Sequence, residues 1–167
     1  MGTQPRHTDC LVKAGHTITS ETWSEFFYEL EILIAQLGEH GRAFMILGAP
    51  GTEDTFVQLL ISRDGVTHVE APTTVLKSCC GRRHKLDPER EALLLGFGWR
   101  PPHRSEDPME DRPLWWREAD PRWRFPEMLF GELLIRTLVE VFGATTPSAL
   151  TPTFGNAPLE GPHQRLL

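Results

Sequence analysis

Cysteine is scarce and odd in number, with three in 167 residues: Cys10, Cys79 and Cys80. Such a count excludes a disulfide framework. Zinc sites usually separate paired cysteines by two or more residues, so adjacent Cys79 and Cys80 with nearby His84 make a poor chelate. Lysine is scarcer still: three stand against fourteen arginines, and the net charge is −6. The chain therefore lacks the overall basic balance of a nucleic-acid binder. No apolar run approaches twenty residues, which excludes a membrane-spanning helix. The first fifteen residues are polar and lack the apolar centre of a secretory signal. The expectation is a cytoplasmic protein with neither metal nor other cofactor.

Catalytic signatures are missing as well. Gly48-Ala49-Pro50-Gly51-Thr52 has the look of a phosphate loop, but no lysine follows it, so a turn is the better reading. There is no Gly-x-Ser-x-Gly elbow, and none of the seven histidines falls in a motif. Arg82, Arg83 and Lys85 would lower the pKa of Cys79 or Cys80, yet no paired base is identifiable. The chain reads as a non-enzyme, with a small cysteine-dependent enzyme as the outlying alternative.

What is present is patterned for packing. Phe130, Leu133, Leu134, Leu138, Val141 and Phe142 recur at three- and four-residue steps, the apolar stripe of a helix over 127–143. Pro126 suits its first turn and Gly143 its C-terminal cap. A second such stripe runs from Trp23 through Phe26, Leu30, Leu33 and Ile34 to Leu37, opened by a Thr22/Glu25 capping box and stopped at Gly38. Strands are expected at 43–47, 55–61 and 66–70, the last two joined by an Asp64-Gly65 hairpin. Alternation in the third places Val66, His68 and Glu70 on one side and Thr67 and Val69 on the other. Residues 72–86 read as irregular. Asp87-Pro88 opens a short helix, and Leu114-Trp115-Trp116-Arg117 is a fourth strand within a charged, proline-bearing loop.

The resulting order, α-β-β-β-α-β-α, segregates strands from helices and predicts an α+β fold with an antiparallel sheet covered on one face. Residues 1–18 read as a flexible arm, 19–150 as the domain and 151–167 as a proline-rich tail ending in loop.

Three segments taken together resemble a known family. They are Phe56-Val57-Gln58 before Asp64-Gly65, Leu95-Gly96-Phe97-Gly98-Trp99-Arg100-Pro101-Pro102, and the helix from Leu134 to Gly143 followed by Pro147-Ser148-Ala149-Leu150. This is similar to the actinobacterial TY-Chap domains, relatives of the YbjN and type III secretion chaperone-like fold, over about residues 20–150. The chain departs from the pattern at Phe97, at the Cys79-Cys80-Gly81 loop and in its long tail. The resemblance implies a chaperone-like or adaptor protein that binds a peptide or protein segment, as a dimer and without a cofactor. A regulatory or immunity-type subunit with one permanent partner is the alternative. A partner segment would lie on the sheet face or along a strand edge. The expected contacts are Gln58 and His68 on the strands, with Trp115 and Arg117 on the outer face of the fourth strand. Of adjacent Trp115 and Trp116, only one can point into a core covered on a single side.

Overall fold

A computed structural model describes residues 17–40, 43–48, 55–61, 66–77, 82–106, 111–120 and 122–156. The first helix, α1, spans Trp23–His40. The capping box closes as its sequence requires: Glu25 N donates to Thr22 Oγ1 at 3.3 Å, and Thr22 N to Glu25 Oε2 at 3.1 Å. Gly38 does not end the helix, which continues to His40. Strands β1 (Ala43–Gly48), β2 (Phe56–Ile61) and β3 (Thr67–Ala71) follow. They pair antiparallel in sequence order, Ala43 opposite Ile61 and Gln58 opposite Glu70. The turns proposed at Ala49-Pro50-Gly51 and Asp64-Gly65 lie outside the described residues, as do Cys10, Cys79, Cys80 and most of the N-terminal arm.

Two segments depart from expectation. Residues 72–86 contain a separate two-stranded sheet, β4 (Thr74–Lys77) with β5 (Arg82–Lys85). Its sequence Arg-Arg-His-Lys has no apolar alternation to announce a strand. The second departure is larger. Thr151–Asn156 forms strand β7, which pairs antiparallel with β1 along its whole length. A tail beginning at residue 151 is thus replaced by an edge strand of the main sheet. Pro152 and Gly155 disguise it, since both weaken a strand. An edge strand tolerates a proline, whose missing donor can face away from the neighbouring strand. Gly155 is needed for space, because a Cβ there would come within 2.5 Å of the Phe44 ring.

The main sheet is five-stranded in the order β6-β3-β2-β1-β7, with β6 at Trp115–Glu118. Helix α2 (Pro88–Gly96) starts at Asp87, whose Oδ1 accepts from Arg90 N at 2.9 Å. Helix α3 (Pro126–Arg136) runs into one wide π turn at Thr137–Val141. A buried side chain lies at that change of winding. Thr137 Oγ1 accepts from Trp99 Nε1 at 2.9 Å and donates to the Leu133 carbonyl at 2.7 Å. A hydroxyl bonding within the ladder accompanies such a bulge. The chain leaves the helix at Gly143, at φ 72°.

All three helices pack on one side of the sheet. Phe26, Leu30 and Leu37 of α1, Leu94 of α2, and Phe130, Leu134 and Leu138 of α3 and its extension are fully buried. They meet Met45, Leu47, Val57, Leu59 and Val69 from alternate strand positions in one core.

Candidate functional site

Strand register divides the sheet into an inner and an outer face. Trp115 pairs with Ala71 and Arg117 with Val69, so both stand on the inner side with those core residues. Trp115 is only 4% exposed. This corrects the expectation that Trp115 and Arg117 offer an outward contact: the strand presents its other face, and Trp116 is the outward tryptophan. Arg117 acts as an internal clamp. Its Nη1 donates to the Phe97 carbonyl at 3.0 Å, and its guanidinium lies 5.0 Å from the Trp123 ring centre. Burial, reinforced by the charge of Arg100, lowers its pKa from the ordinary arginine value. Gly98 makes the clamp feasible. Its φ is +87°, and a Cβ there would come 2.7 Å from Arg117 Nη1. Phe97, where the chain departs from the family pattern, is the residue that receives the clamp, and Arg136 stacks over its ring at 4.0 Å.

Gln58 and His68 are brought together on the outer face, around a residue the sequence reading did not single out. Glu70 is 4% exposed and His68 5%. Gln58 Nε2 donates to Glu70 Oε2, while His68 Nε2 lies 2.9 Å from Glu70 Oε1. A carboxylate can only accept, so the imidazole donates from Nε2. On its other side His68 Nδ1 stands 3.5 Å from Glu118 Oε1, which Arg112 Nη2 approaches at 3.7 Å. Trp116 covers the group, its ring stacked on His68 at 6.2 Å and 16°. Arg100 and Arg112 approach the same tryptophan at 4.8 and 5.4 Å. Both Trp116 Nε1 and His68 Nδ1 are buried without a hydrogen-bond partner. Period-two alternation places His68 and Glu70 on one side of a half-exposed strand, and the indole and arginines bury that side. Glu70 could have been anticipated only from its register opposite Gln58 and Trp116.

Toward the other edge the outer face turns apolar. Phe44 and Ile46 of β1 and Phe56 of β2 are half-buried, and Ile46 lies between Gln58 and Thr153 in register. Thr151 and Thr153 of β7 are exposed. Among the described residues, β7 has β1 as its only strand neighbour. The face thus runs from a locked polar cluster, across an apolar strip, to β7, which is the edge strand among the described residues. Among the described residues no group of three or more His, Cys, Asp or Glu is placed to hold a metal ion, and no helix is long and apolar enough to cross a membrane.

A five-stranded antiparallel sheet with helices packed on one face, ending among the described residues at the edge strand β7, is an α+β domain. Residues 16–155 match the family described as T3SS (YopN, CesT) and YbjN peptide-binding chaperone 3, TY-Chap3, and the chain belongs to that family. No curated protein and no solved structure matches it. The family match extends through Gly155, so it takes in almost all of β7.

Proposed function

We propose that the protein is a peptide-binding chaperone that holds an extended segment of a protein partner against β7 and the apolar strip beside it. The observation that carries this reading is the combination of an edge strand with half-exposed Phe44, Ile46 and Phe56 on the adjoining outer face. An added strand gains affinity from main-chain hydrogen bonds and selectivity from alternate side chains that reach one face. Gln58 and His68 serve this face indirectly. They hold Glu70, and with it the polar border where the apolar strip ends. Family membership supports the peptide-binding role.

A random peptide array probed with the purified protein tests the reading. Retained peptides should alternate apolar and polar residues. Ile46→Asp, on the outer face, should abolish retention by protein that circular dichroism shows to be folded. Retention that survives Ile46→Asp, or an array with no peptide above background, would refute it.

A further inference from the structure

Helix α1 carries four glutamates, Glu25, Glu29, Glu31 and Glu39, and no lysine or arginine. On the same helix Tyr28 and Ile32, one turn apart, are 63% and 59% exposed. Helix α3 lies alongside. At Gly131 the two helices approach closely: a Cβ there would meet the Phe27 ring at 3.5 Å and the Glu31 Cγ at 3.8 Å. Met128, three residues before Gly131, is 45% exposed, and Ile135, four residues after it, is half-buried. Helical spacing puts Met128 and Ile135 on the Gly131 side of α3, while Tyr28 and Ile32 each follow a residue at the contact by one position. The result is an apolar seam on the surface opposite the sheet.

The charges that α1 and α3 place beside it have one sign. Glu31 and Glu132 stand within one helical turn of seam residues, while Glu25, three residues before Tyr28, is held by its cap. The only cation on α3 is Arg136, and it is engaged elsewhere, bonded to Glu140 Oε1 at 2.9 Å and stacked on Phe97. We infer that this seam docks a basic amphipathic helix of a protein partner, with its apolar stripe on Tyr28, Ile32 and Met128 and its lysines or arginines on the glutamates. A second copy of the chain would set carboxylates against carboxylates, which complementarity disfavours. The seam is distinct from the outer sheet face, so this inference stands or falls separately from the strand-pairing reading.

The test uses two synthetic helical peptides of about eighteen residues, long enough to hold a helix. One is built of Leu, Ala and Lys, and the other carries Glu at every Lys. Fluorescence anisotropy with the full chain should show the cationic peptide binding at least about tenfold tighter, with affinity falling as salt rises. The double variant Ile32→Ser, Met128→Ser should weaken it by about tenfold or more. Leu95→Ser, exposed on α2, should leave it unchanged. Equal affinity for the two peptides, or indifference to the double variant, would overturn the inference. So would a wild-type dimer in sedimentation that the double variant dissolves, since the face would then belong to a second copy.

Discussion

Gly98→Ala should destabilise the protein through its contact with the Arg117 guanidinium. Gly98 sits at φ +87°, where a side chain costs roughly 1–2 kcal/mol. The new Cβ would also stand 2.7 Å from Arg117 Nη1, forcing the guanidinium to move. That movement gives up its hydrogen bond to the Phe97 carbonyl, an interaction of a charged donor worth about 1.5–3 kcal/mol, taken at the low end because the arginine is half-exposed. The sum is about 3 kcal/mol, or roughly a 6–12 °C fall in melting temperature for a chain of this size. A double-mutant cycle with Arg117→Met, followed by urea denaturation, separates the two contributions. With the guanidinium gone, Gly98→Ala should cost only the backbone strain, about 1–2 kcal/mol. Strictly additive costs would refute the clamp and would release Arg117 for a role on the surface.

Other substitutions probe the remaining elements. Thr137→Val keeps the shape but leaves the buried Trp99 Nε1 without its acceptor, at a cost of about 1–3 kcal/mol in the same urea assay. Trp115→Ala should cost about 3–5 kcal/mol, and Trp116→Ala distinctly less; equal losses would contradict the inward and outward assignment. The Arg122 guanidinium and amide lower the Asp120 carboxyl pKa to about 2. Any stability from this turn is complete above the ordinary aspartate pKa and is lost as pH falls through about 2. NMR titration of Asp120 should therefore show a midpoint near 2 that rises in Arg122→Ala, which removes the guanidinium and keeps the amide. Glu25 titrates below the usual glutamate range, first because of the Thr22 amide. Thr22→Ala, which removes the hydroxyl cap, should cost about 1 kcal/mol in a thermal melt.

Local rules made much of the fold readable. The Thr22/Glu25 box, the Asp87 cap and the stripe from Phe130 to Val141 are interactions between near neighbours, and their spacing survives folding intact. What failed to show depended on distant partners. β7 contains Pro152 and Gly155, and only pairing with β1 makes it a strand. Glu70 and His68 carry the polarity of a solvent face, and Trp116 arrives from almost fifty residues downstream to cover them. Alternation required one tryptophan of the Trp115-Trp116 pair to face inward, but only the register with Ala71 determines which. The π turn was equally hidden, because its Thr137 hydroxyl is bonded to Trp99 from another part of the chain.

Amide hydrogen exchange along Thr151–Asn156, measured with and without a peptide recovered from the array, is the most direct test of the strand-pairing account. Slowed exchange at alternate β7 amides, with α1 and α3 unchanged, is the predicted result. Protection confined to the helices, or none at all in β7, would contradict it.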